Sequence, residues 1–241
     1  MGTGEGRTPR IRRTHDPLAE VGATLVGAMV AVVILLMLAV GGIDLASAYV
    51  GQSVGNGVLL CSEGSVASQG RRVKVSDDTA TDIASIVGRC IWENEGTDGG
   101  EGITSTVKGF TLQVYELTPT EIRSLNAGAG EGANDRIIVV RVSFQQPYRP
   151  LLATGLLGGA WDGSGTTTVG VSKTWAIHPY TTQGSTWRPT TRANGTYSCT
   201  IGDRGAVSTS KTGTYASLDK LPEEMRKSAE TACKMLGKTT N

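Results

Sequence analysis

GATLVGAMVAVVILLMLAVGGI, Gly22 to Ile43, runs for 22 residues without a charge. As a helix rising about 1.5 Å per residue, it is long enough to cross a hydrocarbon layer of roughly 30 Å. Arg7, Arg10, Arg12 and Arg13 precede it, whereas the first basic residue after it is Arg71. That asymmetry predicts a basic leader over 1–21 in the cytoplasm, a transmembrane helix over 22–43, and an extracytoplasmic chain from Asp44 onward. A removed secretory signal is the competing reading, with Ala46-Ser47-Ala48 as its cleavage site. The apolar run is longer than the usual 7–15 or so residues of such a signal, and no turn follows it. The expectation is a single-pass cell-membrane protein whose first partner is the lipid bilayer.

Past the span, Ala46, Val50, Val54, Val58 and Cys61 recur at steps of four and three, the spacing of one helical face. Gly51, Gly55 and Gly57 weaken a helix in water, but small residues let neighbouring helices approach closely. The pattern predicts one long helix, half in lipid and half outside, with Ala46, Val50, Val54 and Val58 as its assembly face. A second helix is expected from Ser76, an N-cap, with Asp77 and Asp78 at the positive end of its dipole and Ala80, Ile83, Val87 and Cys90 on its apolar side. Glu93 to Gly102 (ENEGTDGGEG) reads as a solvated acidic loop, since the ligand spacing of an EF-hand is missing.

Strands follow. Val107–Leu117, Arg136–Gln145 and Thr166–Ile177 alternate or are dense in β-branched residues, and Asn126–Asn134 is a Gly- and Ala-rich loop between the first two. The fold class expected is α+β: a long N-terminal transmembrane helix continues into an amphipathic helix, packed on one face of a small antiparallel sheet. This outer domain spans 44–178. Residues 179–195, rich in Thr and Pro, read as a linker or arm. Residues 196–241 read as a small C-terminal subdomain with short strands at Thr196–Ile201 and Gly213–Leu218. Pro222 opens its last helix, whose apolar side carries Met225, Ala229, Ala232, Cys233 and Leu236 before Gly237 ends it.

Four cysteines lie beyond the span: Cys61, Cys90, Cys199 and Cys233. An even number in an oxidising compartment reads as two disulfides, for which three connectivities exist. The order of elements favours Cys61–Cys90 between successive helices and Cys199–Cys233 as the staple of the C-terminal subdomain, which is too small to fold unaided. No pair has the two-residue separation of a zinc knuckle.

Composition excludes several function classes. A net charge of +1 argues against nucleic acid as a partner, which favours a basic stripe. With His15 ahead of the span, His178 is the one histidine outside, and its neighbour Pro179 marks it as a turn residue. No G-x-S-x-G elbow or phosphate loop is present. Asp77/Asp78 and Glu223/Glu224 sit at helix starts, and Glu93/Glu95 in the acidic loop. Asn194-Gly195-Thr196 matches a glycosylation sequon. Trp92, Trp161, Trp175 and Trp187 are too dispersed to line one surface. No enzyme, cofactor or metal is expected.

A short basic leader followed by Gly22-Ala23-Thr24-Leu25-Val26 resembles the start of TadE-like pseudopilins, the minor pilins of tight-adherence (Tad/Flp) pili. GIDLASAYVGQSVGNGVLLCSEGSVA, Gly42 to Ala67, resembles that family's segment after the membrane helix. RIIVVRVSFQQPYRPLL, Arg136 to Leu152, resembles its valine-rich strand and Tyr-x-Pro connection. The likeness covers about Glu20 to His178, and nothing from Pro179 onward takes part in it. It implies a structural role: an anchored subunit that joins other pilins through its N-terminal helix, after prepilin peptidase has cut between Gly22 and Ala23. One position departs from the pattern. The family's usual glutamate, five residues after the cleavage glycine, is replaced by Gly27. In related filaments that glutamate pairs with a neighbour's N-terminal amine, so its loss implies a tip subunit or an uncleaved assembly factor. The alternative class is an anchored envelope binding or adhesion protein that never enters a filament.

Overall fold

The computed structural model describes residues 17–69, 79–95, 107–125, 137–148, 167–177 and 193–236, with the backbone alone for 17–25, Gln69, Glu95 and Leu236. The chain divides into two compact units, 1–43 and 44–241. Ser76, Asp77 and Asp78, the Asn126–Asn134 loop, His178, Trp161, Trp187, Gly237 and residues 179–192 of the linker lie outside the described residues.

The first helix, α1, runs Pro17–Gln69 over 53 residues. In the first unit its described side chains, Val26 to Ile43, are aliphatic, methionine, alanine or glycine, and nearly all are exposed. Among the described residues it is the one helix long and apolar enough to cross a membrane.

The second unit is built on a five-stranded antiparallel sheet. Its strands are β1 (Gly109–Glu116), β2 (Ile138–Tyr148), β3 (Thr167–Ile177), β4 (Asn194–Ile201) and β5 (Val207–Gly213), in the spatial order β3-β2-β1-β4-β5. Alternation along β1 and β2 sends side chains to both sides, because successive residues of a strand point to opposite faces. Phe110, Leu112, Val114, Ile138, Val140, Val142 and Phe144 share one core with Trp175, Tyr197, α1 residues Val58, Leu59 and Val66, and α2 (Thr79–Glu95). Tyr115, Ile137 and Val139 point the other way. They pack with Ile122 of α3 (Pro119–Leu125) and with Met225, Ala229, Ala232 and Cys233 of α4 (Glu223–Leu236).

This arrangement corrects three expectations. Helices cover both faces of the sheet rather than one. The C-terminal segment is not a separate subdomain: β4 lies beside central β1, pairing Leu112 with Tyr197 and Phe110 with Cys199, and 44–241 is one unit. The proposed linker ends sooner and the proposed strand Gly213–Leu218 sits earlier, since Asn194 already opens β4 and β5 occupies Val207–Gly213.

Helix α3 owes its start to a capping box. The backbone N–H of Glu121 donates to Thr118 Oγ1 at 3.0 Å, the Thr118 N–H donates to Glu121 Oε2 at 2.7 Å, and Pro119 takes the first turn. Glu121 also accepts from the Tyr115 hydroxyl at 2.7 Å and the Leu218 N–H at 3.1 Å, joining β1, α3 and the turn before α4. Tyr215 is clamped nearby. Its N–H donates to Asn194 Oδ1, its carbonyl accepts from Asn194 Nδ2, and its hydroxyl accepts from Gln113 Nε2.

Burial pushes the Glu121 carboxyl up, but the hydrogen bonds from Thr118, Tyr115 and Leu218 outweigh it and leave its pKa below the ordinary value of 4.5. A carboxyl depressed in the folded state stabilises the fold above its unfolded pKa, and that stability is lost as pH falls through the lowered value. Glu121→Gln is expected to cost about 1–2 kcal/mol at neutral pH, the range of a lost cap. It should also flatten the acid limb of stability below pH 4.5, measured by denaturant unfolding across pH.

Candidate assembly helix

The C-terminal half of α1 meets the sheet through small residues. Ser47, Gly51, Gly55, Val58, Leu59, Ser62 and Val66 are buried, at steps of three and four along one face. A Cβ placed on Gly55 would lie 2.9 Å from both methyls of Val171, and one on Gly51 would lie 3.3 Å from the Tyr148 Cβ. Glycine at these two positions is what lets helix and strand backbones come together. Glu63 Oε2 then takes an ion pair from Lys173 Nζ of β3 at 2.5 Å. Ser62 returns its hydroxyl to the Val58 carbonyl at 2.8 Å, so its polar group is satisfied inside the helix.

The face expected to carry assembly therefore divides. Val58 is fully buried in the domain core, Val54 is half-buried, and Ala46 and Val50 are exposed. The row that meets the sheet, Ser47, Gly51 and Gly55, lies one position on from Ala46, Val50 and Val54. What α1 presents outward from Asp44 to Leu60 is Leu45, Ala46, Tyr49, Val50, Gln52, Ser53, Asn56 and Leu60. None of these eight exposed residues is charged. The solvated side of a helix on a soluble domain ordinarily carries charged and polar residues.

Gly22 and Ala23 fall within the backbone of α1, past its first residues. Gly27 has nothing within 4 Å of where a side chain would begin.

Cys61 and Cys90 are joined, tying α1 to α2 with Cα atoms 6.0 Å apart. The expected Cys199–Cys233 bond is absent, and both thiols are free. Strand alternation explains this: Cys199 points with Tyr197 into the core shared with α1 and α2, whereas Cys233 lies in the core beneath α4 on the opposite face. Burial pushes the Cys199 thiol up to about 12 and the Cys233 thiol up to about 11, so neither forms a thiolate at neutral pH.

A shallow hollow of 830 Å³ lies at the end of the sheet away from Tyr115 and α4. Thr111, Ser143, Ser172 and Ser198, one cross-strand row, line it together with Lys108. Its lining holds no carboxylate or histidine, so no acid–base pair meets there. Among the described residues no three His, Cys, Asp or Glu side chains converge as a metal site.

No protein-family model, curated protein or solved structure matches this chain. The likeness to pseudopilins thus rests on the residues of α1 and β2 quoted above.

Two measurements check this packing. Gly55→Ala should destabilise by about 1–3 kcal/mol, the cost of overpacking, because both Val171 methyls must move. Gly57→Ala, with nothing within 4 Å, should stabilise by about 0.5–1 kcal/mol. For the thiols, the non-reduced folded protein should resist alkylation, with both free cysteines reacting once denatured. Changing Cys61 and Cys90 together to Ser should cost about 2–4 kcal/mol.

Proposed function

We propose that this chain is a TadE-like pseudopilin: an anchored subunit that takes part in assembly, or forms the tip, of a Tad/Flp-type pilus. The observation that carries the reading is the uncharged outward side of α1 from Leu45 to Leu60 on a helix that also holds the apolar span. Water solvates Leu45, Tyr49, Val50 and Leu60 on that side poorly, and helices of neighbouring subunits would cover them in a filament. In this reading the leader 1–21 is cytoplasmic, the span waits in the cell membrane, and the sheet domain lies outside. Prepilin peptidase cuts between Gly22 and Ala23. The subunit then joins other pilins along α1, with the outer domain presenting its surface to them.

Gly27 fits a subunit with no earlier neighbour. A filament-body pilin supplies a carboxylate there to meet a neighbouring amine, and a lone charge in lipid is costly. Gly27 supplies none, so a tip position requires no pairing from it. Disulfide-tied packing of α1 against α2 and the sheet would keep the domain folded while the span moves from bilayer to filament. The polar hollow at Thr111, Ser143, Ser172 and Ser198 favours a second reading, an anchored adhesion or binding protein that never leaves the membrane.

N-terminal sequencing of the protein from its native cells separates these readings. A start at Ala23, and a chain recovered with sheared surface filaments, are expected. Gly22→Ala should retain the leader and migrate more slowly than wild type. Equal mobility of the two chains with peptidase present would sink the cleavage step. An intact N-terminus together with absence from sheared material would establish the permanent anchor instead.

A further inference from the structure

The apolar surface of α1 does not stop where the charge-free run stops. From Val26 to Val50, every exposed position is aliphatic, methionine, alanine, glycine or Tyr49. The first exposed polar residue is Gln52, followed by Ser53 and Asn56. Leu45 and Tyr49 are each 73% exposed, although both belong to the folded outer unit.

Asp44 is the single charge between Gly22 and Ser62, and its placement explains how it interrupts the pattern without breaking it. Asp44 precedes Ser47, Gly51, Gly55 and Val58 by helical steps of three and four, so it continues the row that faces the domain. It is half-buried, with its Oδ1 atom removed from solvent. The carboxylate is turned away from the side on which Leu45 and Tyr49 stand exposed.

Length gives the depth. Val26 to Val50, at about 1.5 Å per residue, measures roughly 37 Å, against about 30 Å for a hydrocarbon core and about 40–45 Å with both headgroup layers included. The helix surface therefore stays apolar for longer than the hydrocarbon core is thick and turns polar only from Gln52. Tyrosine is enriched at that depth because its ring is apolar and its hydroxyl reaches water.

We infer that the first two outer turns of α1, carrying Leu45, Tyr49 and Val50, lie in the outer headgroup layer of the bilayer before the subunit joins others. The partner of this patch in that state is the bilayer itself. Gln52 and Asn56 mark the exit from the layer, and Leu60 lies beyond it. This inference rests on the reading of α1 as a membrane anchor and adds the depth at which the helix leaves the lipid.

The test uses the full-length chain in nanodiscs of phosphatidylcholine and phosphatidylglycerol. p-Benzoylphenylalanine replaces Leu36, Tyr49 or Leu60 in separate preparations, and irradiation is followed by mass spectrometry of the labelled peptides. The expected result is lipid adduct at position 36 and position 49, with about tenfold less at position 60, since interfacial anchoring falls off within a few residues of the boundary. Lipid adduct at 36 with none at 49 would overturn that depth while leaving the anchor intact. Adduct to protein rather than lipid at 49 would also overturn it, by showing that another chain covers the patch. Absence of lipid adduct at all three positions would overturn the anchor reading itself.

Discussion

Apolar side chains on both sides of β1 and β2 set the terms for everything else in the second unit. Leu112, Val114, Val140 and Val142 point one way; Tyr115, Ile137 and Val139 point the other, and all are buried. A strand with two apolar faces needs cover on both. Four helices supply it. α1 and α2 close one side, and α3 and α4 close the other. The small residues of α1, the Glu121 cap and the Arg141–Glu224 ion pair at 3.3 Å are the means by which that cover is fitted.

How much of this was legible follows from which residues carry a periodic signal. The membrane-length run, the second helix and the three strands from Val107 to Ile177 stand out because β-branched and apolar residues repeat at the right step. The Cys61–Cys90 bond was within reach for the same reason, since both residues sit on the apolar sides of adjacent helices. Helix α3 was missed although Thr118-Pro119-Thr120-Glu121 spells a capping box, because seven residues are too few for a periodicity. The sheet-facing row of α1 was not read from the sequence. Its contacts are Ser47, Gly51 and Gly55, and burial of glycine leaves no mark in a hydrophobic pattern.

The C-terminal third was the least legible. β5 reads VSTSKTG, mostly exposed, with no alternation to reveal it as a strand. That β4 would enter the sheet next to β1 depends on pairing across 80 or so residues, which no local pattern encodes. Once Tyr197 faces α2 and Cys199 follows two residues on, the thiol must lie in that same core. A bond to Cys233 would have to pass through the sheet. Of the candidate assembly helix, sequence located the element; which side packs on the sheet came only from the fold.

The place of β4 also sets a schedule for the molecule as it is made. Until residues 194–201 have emerged, β1 has a partner on one side only, and its other edge presents a row of unpaired amides and carbonyls. Until residues 223–236 follow, Tyr115, Ile137 and Val139 stand in water. A growing chain thus waits, with an open sheet edge and an uncovered apolar face, for its last fifth before the second unit can close. Unfinished copies are the ones most apt to pair edge to edge, a hazard that finished copies have already buried.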